Sequence, residues 1–428
     1  DALNLLGMDD LSFVFQFTFH PLISSQLSVE QESNLMRRGD FVRADLRDMN
    51  LTRPPIVFYQ QAGDIESMDV SNNANMVLPL DFVESAISLS SIRMVNIRAS
   101  QVNKLVTLEL SRNLIKRIPQ QISKLENLSI LNLQCNKLER LPQGFANLRH
   151  LQILDLSSNK FTAFPDIICE CTSLLQIDLS NNRIQSIPQH INNLTKVAKI
   201  NISNNRLRKV SDLSQMRNLR TLTIRYNFIS VFKTNCESLQ NIYVTGNKIS
   251  VFDDTVPSLR TLEMHKNPLT SLFPTNDQLS NLTTLSLNKA SLSSLPSVIW
   301  QKFVQLKKLE LNENSLSQLP AAISNLTKLM YLSVNKNKLE SIPETLPLLK
   351  NLKNLDLHSN NIRYLCSNFE KLQLTSLNLS SNTLDSLQED ILFDISDTED
   401  RIPISKTLMF LSIADNALDN TAWSWLNL

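Results

Sequence analysis

Glycine is nearly missing from this chain, with five residues in 428. No two of them have the spacing of GxxxxGK or GxGxxG, which excludes the loops that wrap phosphate in closely approaching backbone. Cysteine also numbers five. The count is odd, and Cys135, Cys169, Cys171, Cys236 and Cys366 form no cluster at either end, so a reduced, cytoplasmic chain is expected. An excess of one charge is absent as well: the formal net charge is +1, and a dedicated nucleic-acid binder would carry a basic surplus. No apolar run reaches the roughly 20 residues of a membrane-spanning helix, and no signal peptide is expected. The five histidines, His20, His150, His190, His265 and His358, are scattered. No Ser–His–Asp or Cys–His arrangement emerges from them.

What the chain does have is a returning phrase, Leu-x-x-Leu-x-Leu-x-x-Asn. It reads Leu128, Leu131, Leu133, Asn136, then Leu151, Leu154, Leu156, Asn159, then Leu174, Ile177, Leu179, Asn182. Self-similarity at a period of about 23 residues is the signature of a leucine-rich repeat solenoid. The anchors at the ninth position are Asn73, Ser100, Asn113, Asn136, Asn159, Asn182, Asn205, Asn227, Asn247, Asn267, Ala290, Asn314, Asn337, Asn360, Asn382 and Asn416. The expected fold is therefore an α/β solenoid of about 16 repeats, a curved horseshoe with parallel strands on the concave face. Short helices and irregular turns cover the convex face. Leu-x-Leu is a short strand whose leucines point inward, because side chains alternate along a strand. The Asn amide satisfies backbone groups that the turn would leave buried and unpaired. Pro in the phrase Leu-Pro-x-x-Ile-x-x-Leu, as at Pro142 and Pro188, suits the start of a short helix, whose first turn cannot use the missing donor.

Irregularities stand out against that register. Only 13 residues separate Ser100 from Asn113, too few for one coil, so a convex loop is expected to be missing between about residues 99 and 104. Ala290 replaces an anchor Asn at a cost of ~1–3 kcal/mol, marking either a soft joint or a drifted repeat. The long interval from Asn382 to Asn416 contains the acidic run Asp394–Asp400, a solvated loop or a partner site. Cys169 and Cys171 form a CxC pair without a second ligand pair, which reads as two buried or spare thiols rather than a metal site. Asn-x-Ser/Thr triplets such as Asn193–Thr195 arise from the repeated "NLT" phrase and read as structural. The array stops inside a repeat at Leu428, and Leu11–Phe19 alternates like an orphan strand. The expected organisation is the end of a preceding domain plus a linker over residues 1–40 and a truncated repeat domain over 41–428.

Positions 2, 3, 5, 7 and 8 of each repeat face the concave side. Early repeats are neutral there, with Ser129, Asn132, Gln134, Gln152 and Gln176, and with Asp155 and Asp178. These two and Asp356 share position 5, and Asp155 with Asp178 mimics an acid pair, an arrangement that ladder repetition produces by itself. From Asn227 onward the face turns basic and aromatic: Arg220, Arg225, Tyr226, Tyr243, Arg260, Glu263, His265, Lys266, Lys289, Lys307, Lys308, Glu310, Lys336 and Lys353. With strands ~4.8 Å apart, this predicts a contiguous basic strip for an acidic protein surface. No catalytic, metal or cofactor site is expected in the chain itself.

Several phrases are not generic repeat consensus: "DLSFVFQFTFHP" (Asp10–Pro21), "ESMDVSNNAN" (Glu66–Asn75), "PLDFVESA" (Pro79–Ala86), "RMVNIRAS" (Arg93–Ser100), "LNLQCN" (Leu131–Asn136) and "LDLHSNNIR" (Leu355–Arg363). With these phrases, spread over most of its length, the chain resembles the fungal adenylate cyclases. The resemblance implies a Ras-associating domain before the repeats, and a phosphatase-like and a cyclase domain after them. The last of these converts ATP to cyclic AMP with a divalent metal, magnesium being the expected one. It also implies that the repeats are where GTP-bound Ras acts, which would place the chain at a membrane peripherally, through Ras. No motif of the cyclase domain occurs here, so none of its catalytic residues transfers. An alternative docking mode uses the N-terminal segment, with Arg37, Arg38, Arg43 and Arg47; alternative functions are a non-enzymatic scaffold or an autoinhibitory segment.

Overall fold

The computed structural model describes residues 35–38, 41–45, 47–48, 50, 67–73, 105–270, 279–385 and 407–418. The chain forms two compact units, one of Asp1–Leu207 and Leu213–Leu219, the other of Arg208–Asp212 and Arg220–Leu428.

The first unit is built on β1 (Leu35–Arg38), β2 (Phe41–Asp45), β3 (Ser67–Asp69), β4 (Thr107–Glu109), β5 (Ile130–Asn132), β6 (Ile153–Asp155), β7 (Gln176–Asp178) and β8 (Lys199–Asn201). From β2 to β8 every neighbouring pair is parallel. Strand β1, on the far side of the boundary expected at residue 40, pairs antiparallel with β2. Short 3₁₀ helices lie opposite the strands at Gln120–Lys124, Gln143–Asn147, Asp166–Glu170 and Gln189–Asn193. Each follows a proline in extended conformation, Pro119, Pro142, Pro165 or Pro188. The proline carbonyl accepts the first i→i+3 bond, as from Ile122 to Pro119 at 3.2 Å. Ile122, Phe145, Ile168 and Ile191 plug the core from these helices, meeting the strand leucines from the other side. Each fully buried side chain of this kind contributes about 1.5–3 kcal/mol.

The second unit carries β9 (Thr221–Thr223), β10 (Asn241–Tyr243), β11 (Thr261–Glu263), β12 (Thr284–Ser286), β13 (Lys308–Glu310), β14 (Tyr331–Ser333), β15 (Asn354–Asp356), β16 (Ser376–Asn378) and β17 (Phe410–Ser412). All neighbouring pairs are parallel, with the inward residues in register, Ile242 beside Leu262 and Leu262 beside Leu285. Its first repeats, at 20-residue spacing, are too short for a helical back. Parallel bridges join Lys209 to Val231 and Phe232 to Phe252 instead, and the two Phe rings stack at 5.4 Å. The buried carboxylate of Asp254 closes this back, accepting from Thr234 N at 2.8 Å, Thr234 Oγ1 at 2.6 Å, Asn235 N at 3.0 Å and Thr255 N at 2.9 Å. The 3₁₀ helices resume at Ile299–Lys302 and Ala321–Asn325.

The anchor asparagines bind two coils each. Asn159 Nδ2 donates to Leu156 O of its own repeat at 3.1 Å and to Leu133 O of the preceding one at 2.9 Å, while its Oδ1 accepts from Leu138 N at 2.9 Å. Asn182, Asn337 and Asn360 repeat the pattern. At Ala290 the backbone substitutes for the missing amide. Leu269 N donates to Ala290 O at 3.0 Å, and the Asn267 and Asn314 amides donate to the neighbouring carbonyls of Met264 and Leu287.

One anchor is corrected. Ser100 is not a repeat anchor, because β3 and β4 pair directly, Met68 beside Leu108, leaving no place for a strand between them. The 13-residue interval is thus not one coil, and the loop expected to be missing between about residues 99 and 104 falls outside the described residues. Residues 74–104, the acidic run Asp394–Asp400, Leu11–Phe19 and the end of the chain near Leu428 lie outside the described residues. A repeat absent from the register appears instead at β2, whose Arg43, Ala44 and Asp45 align with Ser67, Met68 and Asp69.

Candidate functional site: the strand face of the second unit

Leucines at positions 1, 4 and 6 fill the core, so positions 2, 3, 5, 7 and 8 are left for the face. All twelve basic or aromatic residues of the expected strip occupy such positions. They do not merge into one basic band, however. Position 2 gives a row of cations before the strands, Arg220, Arg260, Lys307 and Lys353. Position 8 gives another after them, Lys266, Lys289 and Lys336. Between the two rows, at position 5, stand Glu263, Glu310 and Asp356, alternating with Ser286 and Ser333.

This middle row neutralises the cations nearest to it. Arg225 reaches across two strands to Glu263 at 2.7 Å, with its guanidinium 4.8 Å from the Tyr243 ring centre. Lys308 bonds Glu310 at 2.8 Å and lies 5.2 Å from the Tyr331 ring, while Ser286 Oγ donates to the other Glu310 oxygen at 2.6 Å. The bond to Glu310 raises the Lys308 pKa. Burial pushes the Glu310 carboxyl up, but the bonds from Lys308 and Ser286 outweigh it and leave the group below the usual range. Burial also holds the His265 imidazole below its ordinary value.

At the ends of the strands the pairing thins out. Lys289 bonds Glu313 at 2.8 Å. Arg220 and Lys353 donate to the carbonyls of Ser238 and Gln373, each at 3.2 Å. Among the described residues Arg260, Lys266, Lys307 and Lys336 have no ion pair. Tyr226 lies flat over Gly246, where φ is +71° and a Cβ would stand 2.5 Å from the ring. That is the one glycine whose missing side chain shapes this face, and spacing alone gave no sign of it. Phe228 and Lys248, one position beyond the anchors, also join this edge and escaped the sequence reading; Lys248 Nζ is 5.4 Å from the Phe228 ring.

Residues read as chemically inert have visible structural work. Asp155 and Asp178 are direct neighbours in the ladder, and each accepts from a Ser N two residues on, at 2.8 Å. Burial raises the Asp155 carboxyl, and the Asp178 charge adds to that. Asp356 holds His358 Nδ1 at 2.7 Å. Cys169 and Cys171 are fully buried, their thiols pushed up to about 12 by burial. Arg47 pairs with Asp69 at 3.4 Å; Arg37, Arg38 and Arg43 lie on β1 and β2, and their side chains are outside the described residues. Among the described residues, no group of three or more His, Cys, Asp or Glu is placed to hold a metal. No helix there is long and apolar enough to cross a membrane.

Comparison with known proteins agrees with this architecture. The family model for leucine-rich repeat regions matches residues 85–287, and that for leucine-rich repeats matches 280–339 and 304–362. Over all of its length the chain is 54% identical to the adenylate cyclase of Lachancea kluyveri, of which it spans 23%. It is 31% identical to the adenylate cyclase of Schizosaccharomyces pombe over 42% of this chain and 11% of that protein. Among solved structures, a leucine-rich repeat protein of Leptospira interrogans superposes with a TM-score of 0.63 at 23% identity, covering 90% of this chain and 80% of that one. At such identity the likeness speaks for the fold alone.

Proposed function

For a chain that belongs to the leucine-rich repeat proteins and is homologous along its whole length to a fungal adenylate cyclase, we propose the role of a regulatory docking solenoid. Its partner is a small GTPase, Ras in its GTP form, seated on the strand face of the second unit between Arg220 and Lys353. Docking couples the GTPase to cyclic AMP synthesis from ATP by a catalytic domain outside these residues, one that uses a divalent metal. The chain is then peripheral to a membrane through Ras and needs no span of its own.

The observation that carries this reading is the polarisation of the exposed positions. The face from Arg220 to Lys353 collects Arg, Lys and Tyr, the residue types that dominate interface energies or steer acidic partners, while the same positions in the first unit are mostly neutral or acidic, with Arg43, Arg47, Arg112 and Lys199 as isolated cations.

A pull-down of the chain with Ras in its two nucleotide states tests the partner. Retention of the GTP form over the GDP form is expected. Charge reversal at Arg225, Arg260, Lys307 and Lys308 together should weaken it at least tenfold; unchanged affinity would sink the docking site.

A further inference from the structure

Position 8 of each repeat is a left-handed corner. Its φ is +52° at Tyr226, +54° at Lys266 and at Lys289, +55° at Glu313 and +52° at Lys336. Gly and Asn enter this region most easily, and larger side chains are strained there. The first unit follows that preference at Asn72, Asn181 and Asn204, with Arg112, Cys135 and Ser158 at other corners. The second unit instead places a ring and three lysines in the same strained conformation. Backbone strain at residues that fill no core is a reason to look for function.

The side chains at these corners face solvent. Tyr226 and Phe228 are each 49% exposed, and Lys266 Nζ stands 5.9 Å from the Tyr226 ring. Glu313 is the single carboxylate in the lysine row, bonded to Lys289 and held below the usual range by it first, then by Lys336 and Lys266. One carboxylate among three lysines leaves the row positive. The centre of the face differs: Arg225 and Lys308 already have carboxylates, and a partner seated there would have to strip water from satisfied pairs.

We propose that this rim, made of Tyr226, Phe228, Lys248, Lys266, Lys289 and Lys336, is the main docking edge, and that it takes an acidic protein segment carrying one apolar side chain. The inference rests on the reading of the second unit as a docking surface and narrows where the partner sits. Carboxylates of the segment meet Lys266, Lys289 and Lys336, and its apolar side chain meets Tyr226 and Phe228. Glu313, in the middle of the lysines, repels a continuous phosphate backbone but leaves room for side-chain carboxylates on either side of it.

The test uses the 428-residue chain and a fluorescent 12-residue peptide of Asp and Glu with a central Leu, read by anisotropy. The triple variant K266E/K289E/K336E should lose at least tenfold in affinity, more than R225E/K308E loses. Reversal of Lys196, Lys328 and Lys350, exposed lysines that precede the strands, controls for net charge and should change binding less than threefold. The double variant Y226A/F228A should erase the advantage of the Leu peptide over an all-acidic one. If the triple variant melts early, K266Q/K289Q/K336Q is read in its place, with the same ranking expected. Equal binding by wild type and rim variants, or a larger loss from R225E/K308E, overturns the rim. Rim-dependent binding of oligothymidylate or of phosphatidylserine vesicles tighter than the peptide also overturns it. GTP-loaded Ras is titrated on the same variants. Peptide binding that follows the rim without any Ras binding removes Ras and keeps the rim; Ras binding indifferent to the rim does the opposite.

Discussion

Each unit is built on a parallel ladder of its own, and the two differ at nearly everything a ladder leaves free. In the first, position 8 holds Arg112, Cys135, Ser158, Asn181 and Asn204; in the second, it runs Tyr226, Gly246, Lys266, Lys289, Glu313 and Lys336. Behind the strands, the first unit uses a 3₁₀ helix in repeat after repeat, whereas the second begins with coils closed by stacked Phe rings and the Asp254 carboxylate. The leucines hardly vary between them. A solenoid thus separates what builds it from what it shows: core positions set the rise from coil to coil, and the others are open to change at little cost.

That contrast can be broken experimentally. The largest effect is expected behind the short coils. Asp254→Ala leaves three backbone donors with no acceptor in the interior and should cost about 3 kcal/mol or more, seen in urea unfolding of the second unit; a loss below 1 kcal/mol would show that the carboxylate is dispensable. Next comes the amide ladder. Asn159→Ala should cost about 2 kcal/mol, whereas Ala290→Asn should change stability by less than about 1 kcal/mol, since the Leu269 donor is already satisfied by the Ala290 carbonyl. Comparable large shifts in both would refute the local backbone compensation.

The smallest effect is a pH dependence confined to one unit. His265 has its folded-state pKa lowered by burial, so the unfolded chain takes up the proton first as pH falls. Stability is complete above pH ~6.5 and declines below it. Position 7 of the first unit holds Gln134, Ser157, Ser180 and Ser203, which do not titrate. Between pH 7.5 and 5, hydrogen-exchange protection relative to the intrinsic rate at each pH should therefore fall in β10–β12 and not in β5–β8, and His265→Gln should flatten the response. An equal response in both units would exclude His265 as its source.

The parallel ladder, the buried leucines and the role of the anchor amides were readable from spacing, because each depends on neighbours at a fixed offset. Ser100 misled because a plausible apolar phrase, Ile92, Val95 and Ile97, precedes it, and only strand pairing decides which phrase enters the ladder. The repeat at β2 went unseen because residue 49, at its anchor position, is Met. All twelve candidate face residues could be placed by counting, yet their electrostatics could not. Arg225 and Glu263 are 38 residues apart, and their meeting depends on a reach across two strands that composition does not encode. Tyr226 over Gly246 was hidden for the same reason.

The anchor amides touch only main-chain atoms of the neighbouring coil, a carbonyl and an N–H that every residue type except proline can supply. A coil therefore needs nothing particular from the side chains of the coil before it in order to be sealed. Gene segments encoding single coils can be duplicated, deleted or shuffled with each new junction hydrogen-bonded from the outset. Lineages that carry such arrays can lengthen them or rewrite their surface one coil at a time, without first inventing a compatible neighbour.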